Sequence, residues 1–176
     1  MCHEKVLSMA YRLCRRNGGA AGVDNESFED ITPEKEGPWL GKLQEELRSK
    51  TYRPLPLLRV WIPKSSGGQR PLGIPAIRDR VAQMAALLIL GPIFEADFQP
   101  MQYGFRPGLD AKMAVRKVFF HITSHGRREV VDADLSDYFN TIPHGPLVKC
   151  LIRRVADGNV LSLIKQWLEA PVMERK

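Results

Sequence analysis

Residues 129–139 read Glu-Val-Val-Asp-Ala-Asp-Leu-Ser-Asp-Tyr-Phe, an apolar run with two acidic residues inserted two positions apart, ahead of a turn. Because the side chains of a β-strand alternate between its two faces, Val131, Ala133 and Leu135 fall on one face and Asp132 and Asp134 fall on the other. We therefore predict a strand over residues 128–135 that packs its apolar face and directs its acidic face into a cleft.

Asp134 is the candidate catalytic residue of this stretch. An aspartate at the end of a strand, followed by a tight turn with an aromatic residue, is an arrangement with which polymerases hold Mg²⁺ against a triphosphate. Asp and Ser are also good cap residues, so Asp134, Ser136 or Asp137 could instead serve only to cap the turn that follows. The stretch alone leaves both interpretations open.

A second stretch, residues 61–75, predicts a β-hairpin with a basic tip. It reads Trp-Ile-Pro-Lys-Ser-Ser-Gly-Gly-Gln-Arg-Pro-Leu-Gly-Ile-Pro, in which extended segments flank a Gly-Gly turn signal. The turn places Lys64 and Arg70 on either side of one tip, where an ammonium and a guanidinium fork could bind the same phosphate group. The alternative is that both side chains are simply solvated.

Helical periodicity and end signals predict helices around these two stretches. The predicted spans are residues 4–16, 32–50, 77–94, 109–123, 145–155 and 159–168. The order of the elements predicts an α+β fold, with helices around a small antiparallel hairpin. Trp39, Trp61 and Trp167 are interpreted as packing residues.

Composition restricts the class of protein. The 176-residue chain has 26 Lys and Arg against 20 Asp and Glu, a formal net charge of +6 that suits a polyanionic partner such as nucleic acid. Cys2, Cys14 and Cys150 show neither pairing logic nor metal-ligand spacing, which predicts a reducing compartment and argues against a zinc site. No apolar stretch is long enough for a membrane span, so a cytoplasmic protein without a membrane partner is expected.

Four blocks of sequence carry a resemblance to a known family. The blocks are Gly-Val-Asp at 22–24, Arg-Pro-Leu-Gly-Ile-Pro at 70–75, Tyr-Gly-Phe-Arg-Pro-Gly at 103–108 and Asp-Leu-Ser-Asp-Tyr-Phe at 134–139. In this order and at these spacings they resemble blocks of group II intron reverse transcriptases, and the resemblance covers essentially the whole chain. It implies a fingers region over residues 1–125 and the N-terminal part of a polymerase palm over residues 126–176.

The resemblance implies RNA-directed DNA polymerase activity with Mg²⁺ as cofactor. Asp134 matches the first metal-binding aspartate of the palm, and the backbone carbonyl of Leu135 is implied as a ligand of the same ion. Phe139 matches the aromatic residue that lies beneath the incoming sugar and excludes a 2′-hydroxyl. An isolated phenylalanine is more often a core residue, so the surrounding block is what favours the gate role.

The same resemblance implies that two further groups of residues contact the incoming nucleotide. Lys64 and Arg70 match the finger residues that grip the triphosphate. The backbone amides of Ser136 and Asp137 are implied near its phosphates. The implied substrates are therefore deoxynucleoside triphosphates.

Arg78, Arg80 and Arg106 resemble family positions near the template and primer. Their alternative interpretation is ordinary surface ion pairing. The partners that the family implies are structured intron RNA and an RNA template with a DNA primer.

A Tyr-Ala-Asp-Asp-type block, which supplies further carboxylates to a two-metal site, does not occur in the sequence. We therefore expect residues 1–176 to represent fingers and a partial palm, truncated before that block and inactive alone. Two other functions compete with the polymerase: an RNA-binding module that assists intron splicing without chemistry, and an interaction module that forms homo-oligomers.

Overall fold

The computed structural model describes residues 1–65 and 67–174; Ser66, within the stretch predicted as the hairpin tip, and the last two residues of the predicted palm segment lie outside the described residues. Within these ranges the chain forms seven helices and three strands, which confirms the predicted α+β class. The helices are α1 (Glu4–Asn17), α2 (Pro33–Arg48), α3 (Ile77–Glu95), α4 (Ala111–His125), α5 (Tyr138–Thr141), α6 (His144–Ile152) and α7 (Gly158–Leu168). The strands are β1 (Leu57–Pro63), β2 (Gln69–Ile74) and β3 (Val172–Glu174).

The six predicted helices are confirmed, and the residues that end them explain their bounds. Gly18, at a φ of 64°, ends α1, and Pro33 occupies the first turn of α2, where a missing N–H costs nothing. Asp110 caps α4 by accepting a hydrogen bond from the amide of Met113 at 2.7 Å. None of the helices in the described ranges has the length and apolarity needed to cross a bilayer.

The predicted hairpin is confirmed and forms two strands of the sheet. β1 and β2 are antiparallel, with Leu58 opposite Ile74. In the turn between them, Gly67 and Gly68 have positive φ values of 88° and 79°, which glycine adopts without strain. The two extended runs therefore form the strands, and the glycine pair lies in the turn, as the sequence predicted.

The third strand, β3, was not predicted. It lies parallel to the other edge of β1, with Leu57 opposite Val172 and Arg59 opposite Glu174. Arg59 and Glu174 also form an ion pair at 3.3 Å, across 115 residues of sequence. Three residues are too few to show a periodicity, so only the tertiary structure reveals this strand.

The hydrophobic core is built by the first three helices. Buried side chains recur at helical spacing on each helix, which turns one apolar face of each helix inward. They are Leu7, Ala10, Tyr11 and Cys14 on α1, Leu43 and Leu47 on α2, and Ile77, Val81, Ala82 and Ala85 on α3. α7 adds the partly buried Leu163 and Trp167 to this cluster, so residues from both ends of the chain share one core.

Gly22, in the Gly-Val-Asp block, lies against the chain just before α3. A Cβ atom at this position would be 2.6 Å from the Cα atom of Ala76, which is closer than non-bonded carbon atoms approach. The glycine is therefore required by a close approach between two backbone segments. The block that carried part of the family resemblance has a packing role in this fold.

The strand predicted over residues 128–135 is wrong. Residues 126–135 have no regular secondary structure, and Val131 is 94% exposed. A strand needs a neighbouring strand to satisfy its backbone hydrogen bonds. In the described part of the chain, β1 is paired on both edges and the one sheet contains no strand from this region.

The chain divides into two compact units. The first comprises Met1–Gly91 and His144–Lys176, and the second comprises Pro92–Pro143. The sheet and the core belong to the first unit, whereas residues 92–143 contain no buried side chain. These are units of packing, and the boundary between fingers and palm at residues 125 and 126 remains a prediction.

Candidate functional site

Asp134 lies in the loop before α5, in the second unit. Its side chain is exposed, and its Oδ1 accepts a hydrogen bond from the amide of Leu135 at 2.9 Å. Asp134 does not occupy the cap position of α5, so the capping alternative does not describe it. The structure presents this carboxylate at the surface of the loop.

Asp137 occupies the N-cap position of α5 with a positive φ of 51°. Its backbone carbonyl accepts hydrogen bonds from the amides of Asn140 at 3.1 Å and Thr141 at 3.2 Å, and its Oδ1 accepts from Asn140 Nδ2 at 2.6 Å. Aspartate is among the few residue types that adopt this left-handed conformation readily. Asp137 and the exposed Ser136 thus form the turn that leads from Asp134 into the short helix.

Phe139 is 74% exposed and therefore does not belong to a core in this structure. Its ring packs edge-to-face on Phe105, with 6.4 Å between the ring centroids, and lies 5.5 Å from the ring of Tyr138. Phe105 is itself 99% exposed. The contact brings together two of the sequence blocks, residues 103–108 and 134–139, within the second unit.

Lys64 and Arg70 lie at the tip of the hairpin in the first unit, and both are exposed. The amide of Lys64 donates to the carbonyl of Gly68 at 3.0 Å, and Arg70 pairs with Ile62. This register places Lys64 and Arg70 diagonally on one face of the hairpin, where long side chains on neighbouring strands can reach one another. The register therefore places both residues beside the turn, and their binding to one phosphate group remains a prediction.

Arg78 and Arg80 are engaged within the first unit. Arg78 forms an ion pair with Glu46, and its guanidinium lies 5.2 Å from the ring centroid of Tyr52. Arg80 donates from Nε to the carbonyl of Pro75 at 2.9 Å, and its Nη2 donates to the carbonyl of Ala20. Both arginines support the fold, and their contact with template or primer remains a prediction.

Arg106 also makes internal contacts, here within the second unit, and its side chain is only 14% exposed. Its Nη2 lies 2.6 Å from Glu95 Oε1, and its Nη1 donates to the carbonyls of Gln99 at 3.0 Å and Gln102 at 2.8 Å. The guanidinium also lies 5.4 Å from the ring of Phe98. Arg106 thus holds the loop between α3 and α4, as the ion-pair alternative anticipated.

A buried polar network that the sequence did not indicate joins α3 to α7. Asp79 is 1% exposed and accepts hydrogen bonds from the hydroxyl of Tyr52 at 2.6 Å and the amide of Leu55 at 2.9 Å. Trp167 Nε1 donates to the same tyrosine oxygen at 3.0 Å. Burial raises the pKa of Asp79, and burial together with the neighbouring carboxylate raises the pKa of Tyr52.

The three predicted packing tryptophans differ in the structure. Trp167 and Trp39 are partly buried, and Trp39 donates from Nε1 to Glu26 Oε2 at 3.1 Å. Trp61 is 48% exposed on the hairpin, so its assignment as a packing residue is wrong. A strand of a small hairpin has one face that no other layer covers, which the sequence alone does not identify.

Two candidate residues carry donor atoms that suit a divalent metal ion. The carboxylate of Asp134 and the carbonyl of Leu135 are hard oxygen donors of the type that Mg²⁺ prefers. In residues 1–65 and 67–174, no group of three or more His, Cys, Asp or Glu side chains is placed to share an ion. The donor chemistry therefore fits a divalent cation, but the number of ligands in this range does not complete a site.

Comparison with known proteins identifies the family of the chain. Residues 62–176 match the model of reverse transcriptase (RNA-dependent DNA polymerase). Protein YkfC of Escherichia coli is 45% identical over 131 residues, which cover 73% of this chain and 34% of that protein. The group II intron-encoded protein LtrA of Lactococcus lactis is 30% identical over 172 residues, or 96% of this chain and 28% of LtrA. An uncharacterized 91 kDa protein in the cob intron of Schizosaccharomyces pombe is 32% identical over 97% of this chain and 21% of its own length.

The chain therefore belongs to the reverse transcriptase (RNA-dependent DNA polymerase) family. Its similarity to group II intron-encoded proteins confirms, within that family, the group II intron type predicted from the four blocks. The chain spans about a third or less of the length of the three relatives described above. The matched segment includes the hairpin tip and the loop that carries Asp134.

Proposed function

We propose that the chain functions as part of an RNA-directed DNA polymerase of the group II intron maturase type. The observation that carries the proposal is the loop at residues 134–139, which lies within the segment matched by the family and presents an exposed aspartate before an exposed aromatic ring. A polymerase needs both groups accessible, because the metal and the sugar of the incoming nucleotide must reach them.

Each candidate residue has a role in this proposal. Lys64 and Arg70 bind the triphosphate from the hairpin tip, since a guanidinium fork and an ammonium on one face match a polyphosphate. Ser136 and Asp137 direct backbone amides at the phosphates, and Phe139 lies beneath the deoxyribose. The proposed substrates are deoxynucleoside triphosphates, and the proposed nucleic-acid partners are an RNA template and a DNA primer.

The proposed cofactor is Mg²⁺, held by the carboxylate of Asp134 and the carbonyl of Leu135. The ion would neutralise charge that develops on the transferred phosphoryl group. Two-metal sites need several carboxylates between ions roughly 3.5 to 4 Å apart. Asp132 is one strand repeat away in sequence, about 6 to 7 Å if that segment were extended, so it is a poor second ligand. We therefore propose that residues 1–176 alone do not extend a primer.

The experiment is primer extension on an RNA template with Mg²⁺. It compares residues 1–176 with a version continued through a Tyr-Ala-Asp-Asp-type block, each as wild type, Asp134→Asn and the matched control Asp132→Asn. The continued chain should extend the primer, lose at least about 10²-fold in rate with Asp134→Asn, and change little with Asp132→Asn. Extension by residues 1–176 that Asp134→Asn abolishes would overturn the proposed incompleteness, and an unaffected Asp134→Asn in the continued chain would overturn the catalytic assignment.

A second candidate function is an RNA-binding module that assists intron splicing without chemistry. The net charge of +6 favours it, together with the exposed cations of the hairpin tip. A third, self-association, is favoured by the exposed apolar residues of the second unit, among them Val115 at 67% and Phe119 at 66%. Splicing activity in the Asp134→Asn protein separates the second function from the first, and concentration-dependent sedimentation tests the third.

A further inference from the structure

A groove lies in the first unit between the segment that follows α2 and one face of α7. Its cavity volume is about 160 Å³, roughly the space of five water molecules in the liquid, which suits one sugar or phosphate group. Lys50 and Arg53 line one wall, and Asn159, Ser162 and Gln166 line the other. None of these residues belongs to the candidate polymerase site.

The first wall carries the positive charges of Lys50 and Arg53, which lie at a sharp turn of the backbone. Lys50 has a positive φ of 62°, which turns the chain sharply after α2. Arg53 donates from Nη1 to the carbonyls of Lys50 at 3.2 Å and Tyr52 at 2.7 Å. These hydrogen bonds fix the guanidinium beside the turn, and in the described residues they use Nη1 alone, so Nε and Nη2 can bind an external anion.

The carboxylate of Asp157, which feels the positive charge of Lys50, already accepts hydrogen bonds. Asp157 accepts hydrogen bonds from the amides of Asn159 at 2.8 Å and Val160 at 3.3 Å, as the N-cap of α7. These bonds, with a smaller contribution from the positive charge of Lys50, lower the pKa of Asp157. Asp157 therefore remains charged while it serves the helix, and an incoming anion meets two cations beside one capped carboxylate.

The second wall is neutral and rich in hydrogen-bonding groups. Asn159, Ser162 and Gln166 have the spacing that places residues on one face of a helix. Gln166 Oε1 is buried and accepts no hydrogen bond within the described residues. The terminal amide torsion of glutamine has a broad minimum, so rotation about it can bring this acceptor to a donor in the groove.

A ligand that contacts both walls would place an anionic group on the first wall and a hydrogen-bond donor on the second. We propose that the groove binds a sugar–phosphate unit of RNA, with the phosphate on Lys50 and Arg53 and the 2′-hydroxyl donating to Gln166. This inference rests on the proposed RNA partner but not on the polymerase site. DNA lacks the 2′-hydroxyl, so the groove would distinguish the two backbones.

The experiment measures the affinity of the 176-residue protein for a labelled structured RNA and for DNA of the same sequence. The variants are Lys50→Gln with Arg53→Gln, Gln166→Met, and Lys42→Gln as a matched control on the exposed surface of α2. The double variant should bind both nucleic acids roughly tenfold or more weakly, and its salt slope should fall by about 0.7 for each single-stranded phosphate that it no longer neutralises. Gln166→Met should lose about fivefold for RNA alone, as expected for one hydrogen bond.

Modified RNA tests the same hydrogen bond without altering the protein. Single 2′-deoxy substitutions along the RNA should reveal a position where wild type loses about fivefold in affinity and Gln166→Met loses nothing. Absence of such a position, or a double variant no weaker than Lys42→Gln, overturns the groove while RNA binding itself stands. Failure of wild type to bind any RNA overturns the RNA partner as well. Ribose 5-phosphate should compete only at concentrations at least about a thousandfold higher, and competition as tight as that of RNA would assign the groove to a free sugar phosphate instead.

Discussion

Phe139 has the environment of a residue that meets a ligand, since its ring is 74% exposed and packs on the exposed rings of Phe105 and Tyr138. In a polymerase-competent form of the protein, Phe139→Ala should raise ribonucleotide incorporation relative to deoxyribonucleotide by roughly tenfold or more, because the space beneath the sugar opens. Single-nucleotide incorporation kinetics measure the ratio. Phe105→Ala, which removes the edge partner, is the control and should shift the ratio less. An unchanged ratio in a folded Phe139→Ala protein would show that the ring has no gate role.

Asp79 predicts a specific dependence of stability on pH. Burial raises its folded pKa above the ordinary value of 3.8, so the folded state binds this proton more tightly than the unfolded state. The associated stability is fully present below about pH 3.8 and is lost as the pH rises through the raised pKa. The free energy of unfolding of the wild-type protein minus that of Asp79→Asn should therefore be larger at low pH than at pH 7.

Urea unfolding of both proteins across this pH range measures the difference. The pKa values of Asp30, Glu34 and Asp157 are lowered and act with the opposite sign, but these residues are common to both proteins and cancel. If this difference in unfolding free energy instead grew toward pH 7, Tyr52, Leu55 and Arg78 would stabilise the Asp79 carboxylate more than burial disfavours it.

At the scale of elements, the contact between Trp167 on α7 and Tyr52 ahead of β1 can be isolated by a double-mutant cycle. Trp167→Phe retains most of the packing and removes the N–H donor, so it should cost about 1 kcal/mol of unfolding free energy. In a Tyr52→Phe background, the acceptor is absent and the same change should cost about 1 kcal/mol less. Equal costs in both backgrounds would show that the hydrogen bond contributes nothing and that packing alone joins α7 to the core.

The elements also show where sequence reasoning succeeds and where it stops. Six of the seven helices and the β1–β2 hairpin were predictable because periodicity, caps and the Gly67-Gly68 turn are local properties, whereas the four-residue α5 is too short to show a period. The strand over residues 128–135 was predicted wrongly because the alternation of residue types does not supply a hydrogen-bonding partner. β3 was missed for the opposite reason, since its partner strand is 115 residues away at the Arg59–Glu174 pair.

Sequence reasoning likewise predicted some features of the candidate site and missed others. Lys64 and Arg70 were correctly placed at one tip, because two strands and a turn determine that geometry. The partners of Arg78 and Arg80 were not foreseeable, because Glu46 and the carbonyl of Ala20 come from distant segments. Arg106 pairs with Glu95, as its ion-pair alternative anticipated. The buried network of Asp79 was missed altogether, since an aspartate flanked by two arginines at 78 and 80 reads as a surface residue.

At the scale of the whole molecule, the excess of positive charge predicts how RNA binding responds to salt. Each neutralised phosphate releases counterions, so a plot of log affinity against log salt concentration should have a slope of about −0.7 per phosphate if the contacted RNA is single-stranded. Titration of a labelled structured RNA at several salt concentrations measures it. Lys64→Gln with Arg70→Gln should make the slope shallower, whereas a flat plot for the wild-type protein would contradict an electrostatic interface.

The hydrogen bond between Trp167 and Tyr52 also has a consequence for the order of events during synthesis. The tyrosine leaves the ribosome 115 residues before its tryptophan partner, a delay of roughly 6 to 23 s at 5 to 20 residues per second. During this interval α1, α2 and α3 can assemble their shared core, but Tyr52 lacks its donor and β1 lacks the β3 edge. We expect the nascent chain to populate a partly folded intermediate. Its protease sensitivity around residues 50–60 should disappear only after α7 and β3 have emerged.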